Sequence, residues 1–319
     1  MQNLWRIVGW RIVQGAFVLV VISWLTFWLL AAAGGDAVSA MGVDAKLSAA
    51  TIENLRGVYA LDQPSGVRYV RWLGGVVTGD LGFSFYYQAP VSLIILPRLA
   101  RTLVLAACAF LLAWMMAIML GVLPRLFALS KSQLIFRRGF DAVINVFIVL
   151  AASTPRIVLA LVVLAIMARG GSAMFETGET IASRLVPAAF VLALPLIALF
   201  LAQTRDGLES ILAEDYVRVA RAKGLRERAV ILRHVLRPML NPLLTIGGTS
   251  LGALMSGSVI VESIFGWNGL GQLIIIAVRS RDVALLMGIV LISATCVLIG
   301  NLCADVMVRF NDPRLRGDT

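Results

Sequence analysis

Long apolar runs separated by short polar segments dominate this chain. The first run, 12–35, carries no charged residue over 24 positions, which is enough for a helix to cross about 30 Å of hydrocarbon. Five further runs occupy residues 102–123, 142–168, 185–204, 239–261 and 283–304. The pattern therefore predicts an all-α polytopic membrane protein with six transmembrane helices, and with both termini on the same side of the membrane.

Residues 31–33, three consecutive alanines near the end of the first run, would also suit cleavage by a signal peptidase. The apolar core of a signal peptide, however, is only about 7–15 residues long. Because the first run is longer than that, we expect an uncleaved first helix.

The composition agrees with a membrane protein. Of the 319 residues, 60% are hydrophobic and 14% are charged, whereas about a quarter of the residues of a soluble domain are charged. The net charge of +10 would favour a nucleic-acid partner in a soluble protein. Here the arginines cluster between the apolar runs, as in cytoplasmic loops. The charge therefore predicts topology in a lipid membrane and no nucleic-acid partner.

The basic segments 124–141 and 205–238 are predicted to be cytoplasmic, because Lys and Arg are enriched on that side. Both chain ends are then cytoplasmic as well. The predicted regions are a cytoplasmic N-terminus with the first helix (1–35), an external loop domain (36–98), a core of five transmembrane helices (99–308) and a cytoplasmic tail (309–319).

Residues 209–237, which we call the docking segment, are the longest charged stretch in the second half of the chain. Apolar residues recur there every three or four positions, which predicts an amphipathic helix that ends at Gly224. A second short helix is predicted over 226–237, up to Pro238. Periodicity alone leaves an ordinary amphipathic connection equally open. The predicted apolar face comprises Leu208, Ile211, Leu212, Tyr216, Val219 and Ala220.

Residues 215–225, DYVRVARAKGL, resemble the cytoplasmic motif of ABC importer permeases in the form found in peptide importers. Ala220 and Gly224 match the second alanine and the glycine of the general motif, while Arg218 and Val219 replace its Glu and first Ala. In that family the short helix sits in a groove of an ATPase subunit. The resemblance thus implies ATPase coupling by Glu214, Asp215, Tyr216, Val217, Arg218, Ala220, Arg221, Ala222, Lys223, Gly224 and Leu225.

Three other places carry the same resemblance. The segment 36–98 holds LDQP (61–64) and GDLGFS (79–84) in the order seen in the B-type permease subunit of dipeptide and oligopeptide importers. Residues 262–271, ESIFGWNGLG, are similar to a short re-entrant helix at the family's external gate, and this implies gate roles for Glu262, Phe265, Gly269 and Gly271. Residues 312–314, Asp-Pro-Arg, match the peptide-importer subgroup.

The resemblance implies a type I ABC importer permease in the bacterial inner membrane, forming half of a translocation pore. The expected partners are a C-type permease subunit as heterodimer, two ATPase subunits and an external solute-binding protein. ATP and Mg would be bound by the ATPases, and no cofactor or metal by this chain. Peptides are the expected substrate, and a nickel chelate, glutathione or another small solute is the alternative.

The sequence holds no constellation that would make this chain an enzyme. A nucleotide-binding loop needs Lys after Gly, and no Lys here follows a Gly. His234 is the only histidine, and Cys108, Cys296 and Cys303 lie in apolar runs without a CxxC spacing. We therefore expect a non-catalytic subunit.

A stand-alone secondary transporter or channel is the rival interpretation, and a membrane enzyme is a weaker one. Residues that break helices would suit the discontinuous helices of transporters, namely Pro155, Pro187, Pro195, Gly247 and Gly248. Against this reading, the chain has no convincing internal repeat and few acidic residues within its apolar runs.

Arg156 follows Pro155 near the middle of the third run. An Arg at the centre of a membrane helix costs about 2.5–3.5 kcal/mol and usually faces a polar cavity. One hypothesis is that Arg156 and Pro155 line the pore and that Arg156 attracts the carboxylate of a peptide. The alternative is that the side chain reaches outward to the interface, or that the span is shifted.

Overall fold

The computed structural model is almost entirely helical in the part of the chain that it describes, namely residues 2–32, 63–127, 133–169 and 181–311. The helices are α1 (Gln2–Ala32), α2 (Ser65–Val77), α3 (Val91–Phe127), α4 (Gln133–Ser153), α5 (Arg156–Arg169), α6 (Ile181–Leu212), α7 (Asp215–Ala222), α8 (Glu227–Val230), α9 (Leu236–Phe265), α10 (Leu270–Arg279) and α11 (Val283–Asn311). A π-helical turn (Ile231–Val235) joins α8 to α9, and strands β1 (Phe83–Ser84) and β2 (Ala89–Pro90) precede α3.

Among the described residues, five helical stretches are long and apolar enough to cross a membrane: Val8–Ala32, Val91–Pro124, Ile181–Leu212, Glu227–Phe265 and Val283–Asn311. The remaining predicted span, the third along the chain, is a bent pair, α4 and α5, whose axes turn by 105°. The all-α polytopic fold is therefore confirmed, with five spans, or six if the bent pair is one span.

The bend in the third predicted span lies at Thr154 and Pro155. Proline has no backbone N–H, and it disfavours helical geometry in the residue before it. Thr154 ends α4 by donating from its Oγ1 to the Leu150 carbonyl over 2.6 Å. The predicted interruption at Pro155 is thus confirmed. By contrast, α6 runs through both Pro187 and Pro195 without a break, so those prolines do not make discontinuous helices.

Several predicted bounds differ from the observed helices. The second span was predicted at 102–123, but α3 begins at Val91, and α2 lies within the segment predicted as external loop. The sixth span continues to Asn311 instead of ending at residue 304. Residues 33–62, 128–132, 170–180 and 312–319 lie outside the described residues, and with them residues 36–62 of the predicted external loop domain and the Asp-Pro-Arg motif.

The chain divides into two compact units, and helices α3 and α11 contribute to both. The first unit comprises Met1–Leu103 and Asn268–Leu298. Its apolar core joins α3, α10 and α11 through residues such as Ile95 and Leu273. The helix α2 packs on α1, where the Tyr69 hydroxyl lies 3.0 Å from Ser23 Oγ.

The second unit comprises Val104–Trp267 and Ile299–Thr319. Helix α6 is its centre and packs against α4, α5 and α9. Phe200 of α6 is fully buried and meets Phe110 of α3 edge-on at 5.6 Å between ring centroids. The small residues of α9 allow close approach, since a Cβ on Gly248 would lie 2.5 Å from the Ala304 Cβ.

Candidate functional site

The docking segment begins with a break that the sequence did not predict. Helix α6 ends at Leu212, and α7 starts at Asp215 after a turn in which Glu214 is extended (φ −66°, ψ 146°). The turn rotates the second helix relative to the first. The single apolar face predicted across both helices is therefore wrong for Tyr216 and Val219, which are 43% and 52% exposed, whereas Ala220 is buried as predicted.

Helix α7 buries one face and exposes the other. Val217 is fully buried and Ala220 is 5% exposed. Because buried side chains fix the helix against its own chain, the residues between them point away from it. The exposed face presents a mixture of charged, aromatic and small apolar side chains to the surroundings, namely Asp215, Tyr216, Arg218, Val219, Arg221 and Ala222.

Gly224 ends α7 as predicted, and the geometry shows why glycine is needed. Its φ is +80°, in the left-handed region. The Gly224 N–H donates to the Arg221 carbonyl (2.9 Å) and the Leu225 N–H donates to the Ala220 carbonyl (3.4 Å). These two bonds are those of a Schellman motif, which satisfies carbonyls left free at a helix end. Lys223, the residue between helix and glycine, is exposed.

An ion pair closes the turn around Gly224. Arg221 donates to Glu227 through Nε (3.1 Å) and Nη2 (2.7 Å), in a bidentate arrangement that joins α7 to α8. This hydrogen bonding raises the pKa of the Arg221 guanidinium. The pair between Arg218 and Asp215 is longer, at 3.3 Å, and its side chains are 70% and 93% exposed, so it contributes little.

The second short helix predicted over 226–237 does not stop at Pro238. Helix α8 spans only Glu227–Val230, and a π-helical turn then leads into α9 without interruption. Pro238 has no N–H for the His234 carbonyl four residues earlier. The Tyr216 hydroxyl of α7 donates to that carbonyl over 3.4 Å. Helix α7 therefore forms a hydrogen bond to a backbone carbonyl in the turn that leads into α9.

The predicted external gate residues lie at two helix ends. In the second unit, α9 ends at Phe265, Gly266 is left-handed (φ +62°), and the Trp267 N–H donates to the Glu262 carbonyl over 2.9 Å. Glu262 is fully buried and Phe265 is 7% exposed. The sequence had predicted a turn from residue 262 onwards, whereas the helix continues for four residues.

In the first unit, Gly269 and Gly271 flank the start of α10. The Leu270 N–H donates to Thr102 Oγ1 over 2.8 Å in buried surroundings. At 10 residues, α10 is about 15 Å long and too short to cross a membrane. Helix α10 shares only Leu270 and Gly271 with the predicted re-entrant segment 262–271, so a re-entrant helix at the external gate stays a prediction.

Arg156 is the first residue of α5, immediately after the break at Pro155. Its Nη1 donates to the Ala253 carbonyl of α9 over 3.1 Å. The guanidinium lies over Gly257, where a Cβ would come within 2.7 Å of the Arg156 Cζ. The side chain thus points towards another helix of its own unit.

Asp282 is a structural residue that the sequence analysis missed. It is 1% exposed, and its Oδ2 accepts bonds from Ser84 Oγ (2.6 Å) and the Tyr86 N–H (3.1 Å). Its Oδ1 accepts from the Leu285 N–H (3.1 Å) at the start of α11. An Asp directly before an apolar run is a helix-capping signal. The bond to Ser84, 198 residues away, has no local signal.

Two family profiles match this chain. The profile of the family described as "Binding-protein-dependent transport system inner membrane component" matches residues 109–317. A second profile, "Binding-prot-dependent transport system membrane comp, N-term", matches residues 4–106. Together the two matches cover almost the whole chain.

Two similar proteins are named as peptide permeases. The "Oligopeptide transport system permease protein AppB" of Bacillus subtilis (strain 168) is 36% identical over 309 residues, covering 93% of this chain and 95% of that protein. The "Dipeptide transport system permease protein DppB" of Escherichia coli (strain K12) is 31% identical over 323 residues, covering 92% and 94%.

Among solved structures, the chain resembles an inward-facing form of the MetNI methionine ABC transporter. The TM-score is 0.54 at 17% sequence identity, over 69% of this chain and 97% of that chain. This likeness shows the fold of an ABC importer's membrane subunit. With five or six apolar spans and two family profiles along its length, the chain belongs to the family of binding-protein-dependent transport system inner membrane components, as a B-type permease subunit of an ABC importer.

Proposed function

We propose that this subunit forms half of the pore of a peptide importer and that α7 is the surface on which an ATPase subunit docks. The docking proposal rests on one observation: Val217 and Ala220 fix α7 to its own chain, while the opposite face of α7 is exposed. The peptide substrate is supported by the relatives named as oligopeptide and dipeptide permeases.

Two contacts would carry movement of a docked ATPase into the membrane. The pair between Arg221 and Glu227 joins α7 to α8, and the bond from Tyr216 to the His234 carbonyl joins α7 to the π-helical turn below α9. ATP and Mg would be bound by the ATPases. Closure of the ATPase pair would then shift the permease between inward-open and outward-open states, as in other two-state transitions.

The remaining partners follow from the same proposal. A C-type permease completes the pore, two ATPase subunits dock on the cytoplasmic side, and an external solute-binding protein delivers the substrate. This requires α7 and both chain termini to be cytoplasmic. The basic docking segment supports that orientation, because Arg and Lys are enriched in cytoplasmic loops.

Docking is tested with a charge placed on the exposed face of α7. Val219→Glu alters a side chain that is 52% exposed, so the chain should still insert into the membrane but lose its co-purifying ATPase. The matched control is Val77→Glu on α2, where the side chain is 83% exposed and co-purification should persist. If wild-type protein brings down no ATPase, the chain is a stand-alone transporter and the proposal is wrong.

The substrate is tested on the complete transporter in lipid vesicles. Uptake of a labelled tripeptide should require ATP and the solute-binding protein. A nickel chelate and glutathione, added in excess, should leave peptide uptake unchanged. Inhibition by either of them, with little peptide uptake, would assign that solute instead.

A further inference from the structure

From Met239 onwards, the exposed residues of α9 lie on one face, and few of them are large and apolar. From Met239 to its end, the exposed positions of α9 are spaced by three or four residues along one stripe: Pro242, Thr245, Thr249, Ala253, Ser256, Ile260 and Ser263. Four of these seven side chains carry a hydroxyl, and Ile260 is the one large apolar side chain among them. We call this the hydroxyl stripe.

Helix α1 shows the contrast. Its exposed side chains are large and apolar, such as Phe17 at 68%, Trp28 at 58% and Leu29 at 57%, as contact with acyl chains requires. Small and hydroxyl side chains are typical of membrane-helix surfaces that face other protein instead of acyl chains. Although each hydroxyl donates to a carbonyl of its own helix, the hydroxyl stripe suits a polar cavity better than it suits acyl chains.

Arg156 brings a permanent positive charge to this stripe. Its Nη1 and the Ser256 hydroxyl both donate to the Ala253 carbonyl, over 3.1 and 3.2 Å. In the described part of the chain, Arg156 forms no ion pair and no other hydrogen bond. Because guanidinium stays protonated in proteins, Arg156 places a positive charge here that has no acidic partner among the described residues.

We propose that Arg156 and the adjacent hydroxyl stripe form a station in the transport path that binds the carboxylate of the substrate as it passes. Arginine presents several N–H donors in a planar fork that matches a carboxylate, and one of its two terminal nitrogens is held by the Ala253 carbonyl. Gly257 provides the space in which the guanidinium lies. This inference rests on the proposed function, since it requires a substrate that bears a carboxylate.

The test compares two peptides that differ only in a free or an amidated C-terminus. Uptake into vesicles is measured with the complete transporter and with the solute-binding protein saturated by each peptide in turn. We expect Arg156→Ala to lower kcat/KM for the free peptide about tenfold more than for the amidated one, because one charged hydrogen-bonding partner is lost. Arg156→Lys should restore most of the preference.

Gly257→Ala provides a second variant that keeps the charge. Its methyl group would displace the guanidinium, so the preference for the free peptide should again fall. If Arg156→Ala fails to assemble, this variant decides the question. The matched control is Arg169→Ala, which removes an exposed positive charge from the other end of the same helix and should leave the preference as in wild type.

The outcomes separate the two proposals. If wild-type vesicles take up neither peptide, the proposed function is wrong and the inference falls with it. If wild type transports peptides but Arg156→Ala and Gly257→Ala keep the wild-type preference, only the carboxylate station is overturned. An equal loss of preference in Arg169→Ala would also overturn it, because the effect would then come from overall charge.

Discussion

Gly224 allows the mechanical role of the docking segment to be tested by backbone conformation alone. It adopts φ +80°, and no atom lies within 4 Å of the position that a Cβ would take. Gly224→Ala therefore creates no clash. Its cost is the left-handed conformation itself, about 1–2 kcal/mol for a residue with a Cβ. That is a factor of about 5–30 in the equilibrium of the turn.

Weakening this turn should loosen α7 from α8. The Schellman bonds and the Arg221–Glu227 pair both depend on the chain reversal at Gly224. We expect Gly224→Ala to retain ATP hydrolysis but to lower the number of peptides imported per ATP by about fivefold. The measurement is uptake and phosphate release in the same vesicles. Hydrogen exchange over residues 215–230 should be faster.

Two control variants separate conformation from side chain. Gly224→Asn should retain most of the coupling, because asparagine adopts the left-handed region more readily than other residues with a Cβ. Gly139→Ala places a methyl group in open space on helix α4, where φ is not left-handed, and should be neutral or slightly stabilising. Equal coupling in Gly224→Ala and Gly139→Ala would refute the role of the turn.

Three further predictions concern individual contacts. Tyr216→Phe removes the donor to the His234 carbonyl, and uptake per ATP should fall about twofold. Asp282→Ala leaves a hydroxyl and two N–H groups without their acceptor. Thermal unfolding should therefore show a free energy of unfolding lower by about 2–4 kcal/mol, and Asp282→Asn should lower it less. A double-mutant cycle on Arg221 and Glu227, whose side chains are 40% and 37% exposed, should give about 0.2–1 kcal/mol and decrease with salt. Because the pair raises the pKa of Arg221, the stabilisation by the charged guanidinium is complete at neutral pH and is lost as the pH rises into strong alkali, so the coupling energy should not change between about pH 7 and pH 9.

The membrane spans could be predicted from the sequence because hydrophobic length is a local property. The docking helix could not be placed on its correct face. Leu208 and Leu212 continue by chance into Tyr216 and Val219 with helical spacing, and no Gly or Pro marks the turn between them. The extended conformation of Glu214 changes which face of the following helix is buried. The helical spacing of apolar residues continues through this turn, so the spacing does not reveal it.

Prolines were misjudged for a related reason. The rule that proline ends a helix considers only the lost N–H and the ring. Pro238 leaves the His234 carbonyl without its usual N–H donor. A π-helical turn precedes this proline and the Tyr216 hydroxyl donates to that carbonyl, so the helix continues. At Pro155 nothing comparable occurs, and the chain bends by 105°. Tertiary contacts, which no local rule contains, decide between these outcomes.

The position of Arg156 depends both on a proline break and on a contact with a residue far along the chain. An arginine at mid-membrane costs about 2.5–3.5 kcal/mol on insertion scales, and a hydrogen bond from a charged donor returns about 1.5–3 kcal/mol. The bond to the Ala253 carbonyl, 97 residues away, engages only one nitrogen of the guanidinium. In the proposed carboxylate station, the other donors bind water or the substrate beside the hydroxyl stripe. A bulkier residue than Gly257 would close that place, so the arginine and the glycine form one feature, although they stand on different helices.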